Sequence, residues 1–166
     1  MITNLITLRD AVAEDLPFLA CLYADTRRHE VNTWDWPPEQ QEWFLRMQFD
    51  AQRMSYQASF PGAFDRIVLR DDMAIGRILT NQDEGSMRLI DIALIEEQRR
   101  QGIGTYLLRN LLEQCQKRDC TLHLQVLQGS PAIRLYQRFG FRQAGEDSMY
   151  LRMEWVPQSC PKELAC

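Results

Sequence analysis

Apolar residues recur along this chain with two periods, one typical of strands and the other typical of helices. Short runs that are apolar, β-branched or alternating predict seven strands, at residues 4–9, 64–69, 73–79, 89–95, 121–126, 141–144 and 149–155. Recurrence at helical spacing predicts four helices: one that ends near Arg28, one over residues 39–59, one from Ile103 onward and a short one near residue 135. Together these elements indicate an α/β fold with a mixed sheet of about seven strands flanked by about four helices.

The order of these elements predicts both antiparallel and parallel strand pairs. Asp71 and Asp72 join two of the strands through a short turn, which is typical of an antiparallel hairpin. The third helix instead connects one strand to the next, and a strand–helix–strand unit gives a parallel pair with a right-handed crossover. The length of 166 residues fits one domain. We expect that domain over residues 1–156 and a loose C-terminal tail over residues 157–166.

Residues 26–38 interrupt the helical pattern with His29, Glu30, two tryptophans and two prolines. This composition predicts a loop between the first two helices, and loops held by a rigid scaffold often carry ligand contacts. Trp34 stands beside Asp35 in this segment, and aromatic rings next to carboxylates suit a cationic amine. The alternative is that the tryptophans form an apolar lid over the first helices.

The densest functional signal lies in the segment that joins the strand at residues 89–95 to the third helix. From Arg99 to Thr105 it reads RRQGIGT, and its two glycines allow a tight turn with exposed backbone N–H groups. The first N–H groups of a helix lack intrahelical partners and lie at the positive end of the helix dipole. The turn is therefore an expected anion site, to which Arg99 and Arg100 add positive charge, and a phosphate or pyrophosphate is the expected ligand.

Spacing excludes two common phosphate-binding motifs at this segment. A P-loop requires Lys and then Ser or Thr after its last glycine, but Gly104 is followed by Thr105 and Tyr106. A dinucleotide fingerprint requires a third small residue where Leu107 stands, and an acidic residue about twenty positions later, where the chain has Leu124. Neither motif accounts for the two glycines.

The pattern that remains, Arg-x-x-Gly-x-Gly over Arg99–Gly104, resembles the acyl-CoA pyrophosphate loop of the GNAT family of N-acetyltransferases. A second block, SPAIRLYQRFGF over Ser130–Phe141, is similar to the following motif of that family, in the same order and at the usual separation. The resemblance covers residues 89–141 closely. It departs from the family at Gly129 or Ser130, where members commonly carry asparagine.

The resemblance implies acetyl-CoA as co-substrate and indicates which residues bind it. The backbone of Ile92 and Leu94 would hold the pantetheine arm and polarise the thioester carbonyl. Tyr136 would protonate the departing thiolate, a general-acid task typically worth 10² to 10⁴ in rate. The pyrophosphate would bind the loop itself, flanked by Arg99 and Arg100 and contacted by the backbone amides of Gln101, Gly102, Ile103, Gly104 and Thr105.

A base must accept the proton that the attacking amine loses, and the residues leave its identity open. The candidate catalytic carboxylates are Asp91, on the strand before the loop, and Glu30, in the irregular segment; His29 and ordered water are alternatives. Glu30, Trp34 and Asp35 are the expected contacts of the acceptor amine, because the cofactor occupies the other segments. The acceptor stays open among amino acid, polyamine, antibiotic, peptide terminus and protein lysine.

Composition and charge restrict the partners. A net charge of −4 argues against nucleic-acid binding, which requires many Lys and Arg side chains. Five cysteines, odd in number and without close pairs, argue against a disulfide framework and against a zinc or other metal site. The chain has neither an apolar run of about twenty residues nor a signal-peptide pattern, so we expect no membrane association and a cytoplasmic location. A homodimer is the default expectation for a small enzyme.

The sequence therefore predicts an acetyl-CoA-dependent N-acetyltransferase in which a primary amine attacks the thioester directly. Orientation of the two reactants and polarisation of the carbonyl would supply most of the catalysis. The alternative is a regulatory module that binds acyl-CoA without turnover, which the missing asparagine near Ser130 keeps open. Tyr136 favours the enzyme.

Overall fold

Seven strands form one mixed sheet in residues 5–159, the part of the chain that this computed structural model describes. Their order in the sheet is β1-β2-β3-β4-β5-β7-β6, in which β4 and β5 are parallel and the pairs β1–β2, β2–β3, β5–β7 and β6–β7 are antiparallel. The strands are β1 Ile6–Asp10, β2 Phe64–Arg70, β3 Met73–Asp83, β4 Ser86–Leu94, β5 Thr121–Leu127, β6 Arg142–Glu146 and β7 Tyr150–Trp155. The predicted fold class is confirmed, including the parallel pair.

Four α-helices occur in the same described residues, as predicted. They are α1 Leu16–Val31, α2 Pro38–Ser59, α3 Ile103–Arg118 and α4 Ala132–Arg138. Two single-turn 3₁₀ helices, at Ala13–Asp15 and Glu96–Gln98, precede α1 and follow β4. In residues 5–159, no helix is both long enough and apolar enough to cross a bilayer.

The first helix extends beyond its predicted end at Arg28, so the segment predicted as a loop from residue 26 is helical as far as Val31. The Val31 side chain is buried, and the Asn32 N–H donates to the Arg28 carbonyl at 2.9 Å. Residues 26–31 contain neither glycine nor proline, which would interrupt a helix. Burial of Val31 stabilises the additional turn. Only residues 32–37 connect α1 to α2.

Two compact units make up the chain, and each has buried apolar side chains of its own. The first unit contains the described residues up to Asn81 together with Asp91–Thr105. Its core includes Leu19 on α1, Phe49 on α2 and Ile67 on β2. Phe49 is buried, whereas other apolar side chains of α2 face outward, namely Trp43, Met47 and Met54.

The second unit contains residues 82–90 and the described residues from Tyr106 onward. Its parallel ladder pairs Ser86–Leu89 of β4 with Thr121–Leu124 of β5. Its buried side chains come from α3, β5 and β7, and include Leu108, Cys115, Leu122, Leu124 and Met153. The prediction that residues 1–156 form a single domain stays a prediction.

The end of the described chain is held to α3 by one glutamine. The Gln116 side chain donates to the Gln158 carbonyl at 2.8 Å and accepts from the Gln158 N–H at 3.0 Å. The tail predicted as loose is therefore fastened at Gln158. The rest of the predicted tail, residues 160–166, lies outside the described residues, as does the predicted strand residue Asn4.

Candidate active site

The segment between β4 and α3 turns at the first of its two glycines, Gly102, whereas the second, Gly104, lies in the first turn of α3. Arg100 and Gly102 both have positive φ, 58° and 81°, so the chain reverses direction tightly before α3 begins at Ile103. The Ile103 side chain is buried, which fixes the first turn of the helix. The N–H groups of that turn have no intrahelical acceptor, so they are the donors available to an anion.

The Arg99 side chain is fixed in position by hydrogen bonds to two residues of the first unit. Its guanidinium donates to the Leu94 carbonyl at 2.8 Å and to the Asp25 carboxylate at 2.9 Å. The same carboxylate of α1 accepts the backbone N–H of Glu96 at 2.9 Å. Arg99 was expected to add positive charge beside the loop, but much of that charge is balanced by Asp25. In the described residues Arg100 forms no ion pair, and its side chain is exposed, so it is the arginine open to a ligand phosphate.

Arg70, at the end of β2, supports the other side of the loop. Its guanidinium donates to the side-chain oxygens of Gln98 at 2.6 Å and Gln101 at 2.7 Å. The Gln101 amide group also donates to the Glu97 carbonyl at 2.6 Å. Because the Gln101 side chain is engaged in this way, its backbone N–H is the group that it offers to a ligand.

Asp91 on β4 lies beside an ion pair whose arginine is buried. Arg77 of β3 is 5% exposed and binds Asp65 of β2 with two hydrogen bonds of 2.8 Å. The third nitrogen of the Arg77 guanidinium, Nη1, lies 3.9 Å from the Asp91 carboxylate. Burial raises the pKa of the Asp91 carboxyl above its usual range, against the opposing effect of the Arg77 guanidinium. An acid with a raised pKa accepts a proton more readily near neutral pH.

A cavity of about 170 Å³ opens beside Asp91 in the first unit. Its apolar wall comes from α1, α2 and the β4 residues Ile92 and Ala93. Its polar lining consists of Tyr23, Thr26, Arg27, Gln52, Arg77 and Asp91. Burial raises the pKa of the Tyr23 hydroxyl, so that group is a neutral donor at physiological pH. The cavity therefore brings together a carboxylate and a residue of the strand that was expected to hold the pantetheine arm, Ile92.

The predicted acceptor contacts Glu30, Trp34 and Asp35 lie outside the lining of this cavity. Glu30 is on the last turn of α1, where its carboxylate lies 3.6 Å from Arg27. The Trp34 ring packs against those of Trp36 and Phe44 at centroid distances of 5.0 and 5.3 Å. These ring contacts join the segment after α1 to Phe44 of α2.

Tyr136 lies on α4 in the second unit. Its ring packs edge-on against Phe141, with centroids 5.5 Å apart. The side chain is half-buried. Ser130, where asparagine is common in the resembling family, accepts the Ala132 N–H at 3.2 Å and thereby helps begin α4.

Several residues of the site were missed by the sequence-based interpretation, namely Asp25, Arg27, Asp65, Arg70 and Arg77. One of them carried a signal. Arg77 interrupts an otherwise apolar strand, and a charged side chain in such a position is buried only when it is paired. The other four lie among polar residues of α1 and β2, and nothing in their local pattern distinguishes them.

In residues 5–159 no cluster of three or more His, Cys, Asp or Glu side chains is arranged to hold a metal ion; Cys160 and Cys166 lie outside this range.

Comparisons with known proteins bear on this site. The model of the acetyltransferase (GNAT) family matches residues 28–141, more than half of the chain. Among curated proteins, cysteine-rich protein 2-binding protein of mouse and human is 44% identical over 46 residues, which is 28% of this chain. The chain spans about 6% of the length of those relatives.

Solved structures agree in fold along almost the whole chain. The PaiA N-acetyltransferase of Thermoplasma acidophilum, solved with coenzyme A, superposes with a TM-score of 0.68 at 20% identity, covering 92% of this chain and 99% of that one. The ribosomal-protein-S18-alanine N-acetyltransferase of Escherichia coli gives 0.63 at 21% identity, covering 98% and 100%. The family match, supported by this common fold, confirms the resemblance found in the sequence, and the chain belongs to the acetyltransferase (GNAT) family.

Proposed function

We propose that the chain is an acetyl-CoA-dependent N-acetyltransferase that acts on a small primary amine. The observation that carries this proposal is the loop Arg99–Gly102, whose shape is fixed by Asp25 and Arg70 before any ligand binds. It ends at the first turn of α3, so an anion binds there without reorganising the backbone. Membership in an acetyltransferase family supports the same assignment.

The pyrophosphate and the pantetheine arm of acetyl-CoA each have a proposed partner. The pyrophosphate binds the backbone amides of Gln101–Thr105, with the exposed Arg100 beside it. The pantetheine arm lies along the backbone of Ile92 and Leu94, as in the resembling family. Arg99 acts indirectly, because its guanidinium holds the Leu94 carbonyl and Asp25. These roles rest on the family motif and on the shape of the loop.

The proposed reaction is a direct transfer. The neutral amine nitrogen attacks the thioester carbonyl carbon, a C–N bond forms, and the C–S bond breaks. Tyr136 gives its proton to the departing thiolate, and the amine loses one proton to a base. Asp91 is supported as that base over Glu30, because Asp91 lines the cavity and has a raised pKa, whereas the Glu30 side chain is 59% exposed. The amide product and CoA then leave.

The test combines binding with turnover. Acetyl-CoA should raise the melting temperature of the protein, since a ligand that binds only the folded state stabilises it. Free thiol should then appear when acetyl-CoA is mixed with a panel of primary amines, and mass spectrometry should find the acetylated amine. A melting shift without thiol release from any amine would favour the alternative, a regulatory module that binds acyl-CoA. If neither the melting shift nor thiol release is observed, both the enzyme and the regulatory module are refuted. The cytoplasmic location and the homodimer stay predictions of the sequence.

A further inference from the structure

The charges around the cavity beside Asp91 are unevenly distributed. Of the side chains that line it, Asp91 carries the only carboxylate, while Arg27 and Arg77 carry guanidinium groups. Arg77 is committed to Asp65 through two hydrogen bonds and is almost fully buried. Arg27 is therefore the cation of this lining that a ligand can reach.

Arg27 is held at the wall of the cavity by an aromatic ring. Its guanidinium carbon lies 5.2 Å from the centroid of Tyr23, one helical turn earlier on α1, which also lines the cavity. Such a cation–π contact fixes the position of the charge without using its hydrogen-bond donors. Among the described residues its ion-pair partner is Glu30 at 3.6 Å, and these two side chains are 41% and 59% exposed. Pairs of that kind contribute little, so the guanidinium is available to a second carboxylate.

We propose that the acceptor is a small amino acid, whose amine faces Asp91 and whose carboxylate binds Arg27. This inference rests on the proposed function, which supplies the acetyl group. Arg27 matches the geometry of a carboxylate because a guanidinium can donate two parallel hydrogen bonds to it. The acetylation leaves that carboxylate unchanged, since only the amine nitrogen gains a bond.

The same charges argue against a diamine or polyamine as acceptor. A diamine or polyamine would bring a second ammonium toward Arg27, and the lining offers no second carboxylate to receive it. The cavity of about 170 Å³ is open to solvent, so its volume limits only the part of the acceptor that lies inside it. A cavity of about 150 Å³ holds one benzene molecule, so this one has room for about six to eight non-hydrogen atoms. That is the size of a three- or four-carbon amino acid.

The experiment measures thiol release from acetyl-CoA with amino acids and with two amines that match β-alanine in length but carry a different end group. The acceptors are the twenty standard amino acids and β-alanine, which carry a carboxylate, propylamine, which ends in a methyl group, and 1,3-diaminopropane, which ends in an ammonium. Wild type should use at least one of the carboxylated amines with a kcat/KM at least tenfold above those of propylamine and the diamine. An equal or better kcat/KM for either of the last two would overturn the proposal.

Variants at Arg27 distinguish a loss of carboxylate recognition from a general loss of activity. Because Arg27 also lowers the pKa of Asp91, the kinetics are compared on the pH plateau at which Asp91 is ionised in both proteins. There Arg27→Gln should lower kcat/KM for the preferred amino acid at least tenfold, mainly through KM, and leave kcat/KM for propylamine within twofold. Arg27→Lys should restore part of the loss. The control Arg46→Gln removes an exposed arginine of α2 that lies outside the cavity, and it should change nothing. A uniform loss for all acceptors in both Arg27 variants, with the acetyl-CoA melting shift intact, would contradict the proposal.

The outcome also distinguishes the proposed acceptor class from the proposed acetyltransferase function. Turnover of amines without a preference for the carboxylate defeats only the assignment of Arg27. Absence of turnover with every amine defeats the proposed function, and the acceptor class with it.

Discussion

Asp25 on α1 binds Arg99 of the β4–α3 loop at 2.9 Å and accepts the Glu96 N–H at the same distance. One carboxylate thus joins a helix of the first unit to both the 3₁₀ turn and the loop that follows it. The Asp25 side chain is 15% exposed, so the pair is partly shielded from water. A loop held in this way needs little ordering when a ligand binds, and preorganisation of this kind favours affinity.

Asp25→Ala should weaken acetyl-CoA binding at least fivefold and lower the free energy of unfolding by about 1–3 kcal/mol, the usual cost of leaving a shielded partner unsatisfied. Isothermal titration and urea unfolding measure the two effects. Arg28→Ala is the control, because it removes the longer and more exposed contact of Asp25, at 3.8 Å. If Asp25→Ala binds acetyl-CoA as wild type does, the loop does not depend on this carboxylate.

Gly104 tests the anion site with a matched pair of substitutions. A Cβ at Gly104 would meet no atom within 4 Å, so the fold can accept a side chain there. Gly104→Asp places a carboxylate among the N–H groups of the first turn of α3, where it should compete with a phosphate and repel it. Gly104→Asn has nearly the same shape without the charge. We expect the melting shift caused by acetyl-CoA to be lost in the aspartate variant and largely kept in the asparagine variant. Equal shifts in the two would place the pyrophosphate elsewhere.

Gly76 on β3 tests whether the end of β4 must keep its position. A Cβ on Gly76 would collide with the Ala93 carbonyl oxygen and would lie 2.7 Å from Cδ2 of Leu94. Gly76→Ala should therefore shift this part of β4, lower stability by about 1–3 kcal/mol and weaken acetyl-CoA binding. Gly62→Ala, at a position with open space, is the control. Unchanged stability and binding in Gly76→Ala would mean that β4 accommodates the methyl group.

The sequence predicted the parts of the site that depend on local pattern. The change from strand to helical period located β4, the loop and α3, and Gly102 indicated the turn. The hairpin at Asp71 and Asp72 is likewise local; both residues have positive φ, as a two-residue hairpin turn requires.

Contacts between distant positions could not be predicted in this way. Asp25 and Arg99 are 74 residues apart, and Arg77 and Asp65 come from different strands. Neither pairing leaves a periodic signal. The predicted loop over residues 26–38 began too early for a related reason. Residues 26–31 belong to α1, whose end is stabilised by burial of Val31, and nothing in the local sequence indicates that burial.

Tyr136→Phe should lower turnover at least tenfold while leaving acetyl-CoA affinity within about threefold. The substitution removes one proton donor and keeps the ring that packs on Phe141. The measurement requires conditions in which chemistry limits the rate, which single-turnover kinetics provides. Tyr150→Phe, at an exposed position on β7, is the matched control. A Tyr136→Phe enzyme with wild-type single-turnover rates would show that the hydroxyl has no role as an acid.

The ionisation of Asp91 links activity and stability to pH, with opposite signs. Burial raises its pKa, the Arg77 guanidinium, the Ile92 amide and Arg27 lower it, and the Asp65 carboxylate raises it; burial prevails. As a base, Asp91 must be ionised, so kcat/KM should rise with pH through this raised pKa. A pKa that is higher in the folded than in the unfolded state makes the free energy of unfolding decrease as pH rises. The stabilisation that comes from protonated Asp91 is fully present below the unfolded pKa and is lost as pH rises through the folded pKa.

Asp91→Asn should therefore remove the rise of kcat/KM with pH that Asp91 causes, which is the lower limb of the pH profile. It should also lower turnover by about 10²-fold. Its free energy of unfolding relative to wild type should increase as pH rises from about 4, the usual pKa of an aspartate, because asparagine never acquires the buried charge. Glu30→Gln is the comparison, since Glu30 is the other candidate base: it should leave both the limb and the turnover nearly unchanged. The acceptor's own ammonium gives a separate limb at higher pH that all three proteins retain. If Glu30→Gln removes the lower limb and Asp91→Asn keeps it, the base is on α1 and the role of Asp91 is structural.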